Sequence, residues 1–213
     1  MREAVIRIGA AAMLTWGCSP PSAGKSAVPA PAVEDTTGLG AVPAGFGSLR
    51  QDDIAIRLEP QGLIVRAIPL DERVIRLLTP DSYRALRDLQ ESNRRAIEVI
   101  ARRSGGRPPD LWYVSFYGLE ENARFSPMDL VITSGGQDFR PLDVIPLSTG
   151  FGEQRLRQRE TQSAVYVYAD GVDVDHPLTV TFQGLQSVIW EQLLQRIERE
   201  RALVRARALR TGS

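Results

Sequence analysis

The sequence predicts an antiparallel β-sandwich with one inserted helix and a C-terminal helix, on three observations. Short runs of alternating apolar and polar residues recur between residues 54 and 182, and a period of two marks a strand with one buried face. Turn-forming residues punctuate these runs, mostly without helices between them, which favours antiparallel pairing over a parallel sheet. Two stretches, 80–103 and 187–208, instead carry apolar residues at helical spacing.

Taken in order, DIAIRLEP alternates Ile54, Ile56 and Leu58 and predicts the first strand. Pro60-Gln61-Gly62 turns the chain into a second, LIVRAIPL. DERVIRLL fits a short helix or a strand equally well. Thr79-Pro80 then opens a helix, with a capping hydroxyl followed by proline at the first helical position. Its apolar stripe is Tyr83, Leu86, Leu89, Ala96, Ile97 and Ile100, opposite i,i+4 pairs such as Arg84/Asp88, Arg87/Glu91 and Arg94/Glu98. Gly105-Gly106 and Pro108-Pro109 stop it.

LWYVSFYGL sets Trp112, Val114 and Phe116 against Tyr113, Ser115 and Tyr117. DLVITSGGQDFRPLDVIPL predicts two strands around Ser134-Gly135-Gly136-Gln137, a hairpin. QSAVYVYA and PLTVTF follow, joined by the polar loop DGVDVDHP. The last helix presents Trp190, Leu193, Leu194 and Ile197 as its docking face and becomes more polar from Arg199. In outline this is similar to the immunoglobulin-like sandwiches carried by many exported bacterial lipoproteins. No motif narrows that similarity, so it brings no functional residue with it.

Composition excludes several function classes. The 213 residues carry a formal net charge of zero, which removes the sequence-wide case for nucleic acid as the partner. One cysteine, Cys18, allows neither an intrachain disulfide framework nor a multi-cysteine zinc site. One histidine, His176, leaves little room for imidazole chemistry. No cofactor and no metal is expected.

The N-terminus supplies an address. Arg2 and Arg7 precede nine uncharged residues, Ile8 to Trp16. At 1.5 Å rise per residue that run covers about half of a ~30 Å hydrocarbon core, and it suits the apolar core of a signal peptide. Leu14-Thr15-Trp16-Gly17-Cys18, with Ser19 after it, resembles the lipobox of bacterial lipoproteins. The resemblance implies cleavage of residues 1–17, acylation of Cys18 (palmitate or a similar chain), and a lipid anchor in the cell envelope, facing the periplasm or the outer membrane. The alternative is an ordinary secretory cut within SAGKSAVPA. Residues 18–49 are rich in Pro, Ala, Gly and Ser and predict a disordered tether, leaving 50–210 as the single folded domain.

Candidate chemistry is sparse. Asp170, Asp173 and Asp175 beside His176 offer oxygen ligands, but not at EF-hand spacing, and the plainer reading is a polar turn. Ser115, Ser134 and Ser163 lie in no G-x-S-x-G turn, and Glu120-Glu121 read as a solvated loop. Six arginines and two glutamates between Arg196 and Arg210 suit a solvated helix end better than a basic arm for anionic lipid or an acidic partner. Tyr113, Tyr117, Tyr166 and Tyr168 belong to the core or a sheet face rather than to a binding patch. The expected protein is therefore a membrane-anchored exported lipoprotein. Its sandwich would be a non-catalytic binding or assembly module for another envelope protein, or less readily for a glycan. The alternative is an exported hydrolase using His176 and nearby acids.

Overall fold

A computed structural model describes residues 42–211, all within one compact unit. The leader, Cys18 and the tether up to residue 41 lie outside the described residues. The fold is β-sandwich-like, mainly antiparallel, with helices inserted between two paired strands and a long helix at the C-terminus.

The chain runs α1 (Gln51–Ile54), β1 (Ile56–Leu58), β2 (Leu63–Pro69), α2 (Glu72–Ile75), α3 (Pro80–Ser92), α4 (Arg94–Arg103) and β3 (Asp110–Gly118). It continues through β4 (Ala123–Arg124), β5 (Val131–Ser134), β6 (Gln137–Phe139), β7 (Asp143–Pro146), β8 (Arg155–Leu156), β9 (Thr161–Tyr168), β10 (Leu178–Phe182), β11 (Leu185–Ser187) and α5 (Trp190–Thr211). Among the described residues three sheets form, in the orders β1-β2-β3-β9-β7, β11-β10-β5-β6 and β4-β8.

The alternating strands bury the faces their sequences mark. Trp112, Val114 and Phe116 on β3, and Leu178, Val180 and Phe182 on β10, are buried. Phe116 and Phe182, from different sheets, approach to 5.6 Å between ring centroids. Phe125 stacks on Phe116 at 4.3 Å and meets Phe151 edge-on at 5.2 Å. Helix α5 docks through Trp190, whose ring lies 6.3 Å from Trp112 and whose indole N–H donates to the Val174 carbonyl at 3.1 Å. Removing either fully buried Trp would cost about 3–5 kcal/mol.

Ile54 belongs to helix α1 rather than to the expected first strand, and four further boundaries differ from expectation, each for a local reason. The expected helix 80–103 is two helices, because Asn93 leaves helical geometry (φ −103°, ψ 5°) and donates its side-chain amide to the Leu89 carbonyl at 2.8 Å. Its surface pairs also regroup: Arg94 meets Glu98, but Arg87 reaches Glu72 at 2.7 Å rather than Glu91. The C-terminal helix starts at Trp190, not 187, since Leu185–Ser187 pairs with β10. The segment 131–146 holds three strands: β5 and β6 close the expected hairpin over Gly135 (φ 58°) and Gly136 (φ 78°), while β7 crosses to pair with β9.

The fourth difference is the edge of the tether, expected to reach residue 49. Val42 and Leu49 are buried, and Leu49 exchanges backbone hydrogen bonds with the chain around Leu78. Gly47 makes this possible: a Cβ there would stand 2.1 Å from the Leu77 carbonyl oxygen, so only glycine lies this close. Among the described residues, the packed chain thus includes Val42 to Leu49.

Candidate functional site

The polar loop Asp170–His176 joins β9 to β10, and its Asp173 and Asp175 carboxylates are committed to partners. The Asp110 carboxylate, at the start of β3, accepts from the Gly171 and Val172 N–H groups at 2.9 and 2.8 Å. Ser134 Oγ accepts from the Asp173 N–H at 3.1 Å. The Arg73 guanidinium on α2 spans Asp71 (2.7 Å), Asp175 (2.6 Å) and Asp173 (3.8 Å). Arg201 on α5 reaches the other Asp175 oxygen at 3.0 Å. One loop is thereby stapled to α2 and α5.

Electrostatics follow from that geometry. The Asp71 hydrogen bond, opposed by partial burial, raises the Arg73 pKa further above its already high value, with the other two aspartates adding to it. Burial pushes Asp173 upward, but the Asp175 N–H, His176 and Arg73 outweigh it and hold its carboxyl below the ordinary aspartate range. Asp110 lies above that range, chiefly through burial and secondarily through the charge of Asp170, despite its two N–H donors.

The residues singled out for catalysis or metal binding do not converge on a reacting centre. His176 Nδ1 is 2.6 Å from Asp173 Oδ2, on a side chain three-quarters exposed. Ser134, the hydroxyl joined to the same network, is buried and spends its oxygen on a backbone N–H. Ser163 pairs with Ser148 across the β7–β9 edge, and Glu120 and Glu121 are exposed. Among the described residues no group of three or more His, Cys, Asp and Glu is placed to hold a metal ion. Tyr166 and Tyr168 are core residues, and the Tyr168 hydroxyl donates to the Leu130 carbonyl at 3.2 Å; Tyr113 and Tyr117 are half-buried.

Arg196, Arg201 and Arg207 tie α5 to its surroundings. Arg196 reaches Asp53, Arg201 reaches Asp175 and Glu198, and Arg207 reaches Glu200 at 2.7 Å and the Phe46 carbonyl at 2.8 Å. Along the helix Glu198 pairs with Arg201, while Arg196 and Glu200 pair with Asp53 and Arg207 rather than with each other. Glu200 is buried, and it also accepts from Ser48 N and Ser48 Oγ, both at 2.8 Å. The N-terminal strap is therefore clasped to α5 by one carboxylate. The signal for it was a charged residue in the apolar stripe Trp190, Leu193, Ile197, Val204.

Where the end of α4 lies over the ends of β3, β7 and β9, a cleft of about 210 Å³ opens. Ala101, Pro109 and Leu142 form apolar walls, with Ser104, Arg107 and Asp170 supplying the polar groups. No helix among the described residues is long and apolar enough to cross a membrane. No protein-family model, curated protein or solved structure matches the chain.

Proposed function

We propose that the chain is an exported bacterial lipoprotein, held at a membrane of the cell envelope through acylated Cys18, whose sandwich is a non-catalytic binding or assembly module. The supporting observation is where the acids, hydroxyls and imidazole flagged for chemistry sit. Asp173, Asp175, Ser134 and His176 hold a loop against α2, α5 and the sheet. A general base for hydrolysis must be placed to receive a substrate proton beside a nucleophile. The Asp173–His176 contact is the one feature that favours a hydrolase, and the hydroxyl in that network is turned to the backbone.

Twenty-three residues separate Cys18 from Val42. A Gly/Ser-type linker of that length would have a root-mean-square reach of roughly 25 Å. It would lift the module off the bilayer and join it at the strap clasped by Glu200. Two or more acyl chains on the terminal cysteine would make the anchor durable, since one chain binds only marginally.

Fractionation of cells expressing the wild type and Cys18→Ser, with a labelled fatty acid, tests the anchor. The wild type is expected in the membrane fraction carrying label, and the variant is expected to be released and unlabelled. A variant that stays in the membrane fraction would refute acylation as the anchor. Cross-linking in the same cells should return one reproducible envelope protein, and failure to do so counts against the assembly role.

A further inference from the structure

Arg107 and Asp170 carry opposite charges, line the same small cleft, and pair neither with each other nor with any other described residue. Asp175, further along the same loop, does the reverse, meeting Arg73 at 2.6 Å and Arg201 at 3.0 Å. We infer that this cleft is a binding site for a small zwitterion, a free amino acid or very short peptide, with Arg107 taking its carboxylate and Asp170 its ammonium group.

The lining favours a ligand that carries both charges. A pure anion would meet Asp170, with Asp110 close enough to feel its charge. A pure cation would meet Arg107, which follows Arg102 and Arg103 at the end of α4. A ligand carrying both charges satisfies both poles at once, and the fork of the guanidinium suits a carboxylate. Ala101, Pro109 and Leu142 give the cleft apolar walls, while Arg107 and Asp170 stay exposed, so both charge contacts are made in water. A cleft of about 210 Å³ is below the size of drug-sized pockets, roughly 300–1,000 Å³, and suits a ligand of a few heavy atoms.

Both poles sit on fixed backbone. Arg107 lies between the turn that ends α4, where the Gly106 N–H donates to the Ala101 carbonyl at 2.8 Å, and the rigid Pro108-Pro109 pair. Asp170 precedes Gly171, whose N–H the Asp110 carboxylate holds. Leu142 is tied to the end of β9 by its N–H to the Val167 carbonyl at 2.7 Å. A site carried on element ends is better positioned than one on a long loop.

The site stands whether or not Cys18 is acylated, so it fails or survives separately from the anchoring reading. The test is an NMR titration of the full chain with L-alanyl-L-alanine, compared with N-acetyl-L-alanine, which lacks the ammonium, and L-alaninamide, which lacks the carboxylate. The dipeptide is expected to shift the amides of Gly105, Arg107, Ala169 and Gly171 with a Kd of about 1–10 mM, the range for two exposed charge contacts. Each singly charged probe should bind about tenfold more weakly. Arg107→Ala should remove the advantage of the dipeptide over L-alaninamide, and Asp170→Asn its advantage over N-acetyl-L-alanine. The double variant Arg107→Asp with Asp170→Arg should recover dipeptide binding with the ligand reversed. Equal binding of all three probes, binding unaffected by Arg107→Ala, or no saturable shift in the cleft by roughly 50 mM would overturn the assignment.

Discussion

Helices α4 and α5 both end in arginines, yet the two ends use them differently. On α5, Arg196 and Arg201 reach Asp53 and Asp175 on other segments, and Arg207 reaches the buried Glu200 of its own helix. At the end of α4, Arg102, Arg103 and Arg107 meet no acidic partner among the described residues. Residue type does not decide between these roles; the acids that the fold brings alongside do. The register of β9 and the crossing of the 170–176 loop place Asp175 against α2 and α5, whereas Asp170 is left in the cleft with Arg107. One end is a structural staple, and the other keeps its charge available.

The contrast is broken most strongly at Glu200. Truncation to alanine removes the acceptor for Ser48 and the partner of Arg207, which stays only a third exposed. Losing one member of a buried pair costs up to about 3–5 kcal/mol, and partial hydration of Arg207 places this case near the lower figure, about 3 kcal/mol. Chemical denaturation of Glu200→Ala checks the magnitude. Limited proteolysis should also show earlier cutting between Val42 and Leu49 than in the wild type, because the clasp on the strap is gone.

A smaller effect comes from pH. The Asp173 carboxyl is held below its ordinary range, so the stability it contributes is full above the unfolded aspartate pKa and is lost as pH falls through its lower folded value. Asp173→Asn should therefore be less stable than the wild type at neutral pH, with the difference shrinking toward zero in acid. Denaturation midpoints between neutral pH and pH of about 2 measure this. A difference that stays constant with pH would remove Asp173 from the staple.

The strands were legible because alternation reports burial directly: Trp112, Val114, Phe116 and Leu178, Val180, Phe182 are the residues that meet across the core. The short strands β7 and β11 were not, since each carries too short a pattern to show which sheet it joins. The strap looked like tether because Gly, Pro and Ser dominate it, and only the approach of Gly47 to the Leu77 carbonyl explains why glycine belongs there. Asp173 and Asp175 were legible as part of an acidic cluster with Asp170, but not as partners of Arg73 and Arg201; Asp175 meets these across 102 and 26 residues of sequence. Arg107 and Asp170 meet only through the pairing of Asp110 with Tyr168, a contact that no local pattern encodes.

The central claim, that one set of arginines staples the fold and another stays available, is tested most directly by urea unfolding of Arg201→Ala beside Arg107→Ala. Arg201 is mostly buried and bridges Asp175 and Glu198, so its loss should lower stability by about 1–2 kcal/mol. Arg107→Ala should fall within about 0.5 kcal/mol of the wild type. Equal losses for the two variants, or a larger loss at Arg107, would contradict the division.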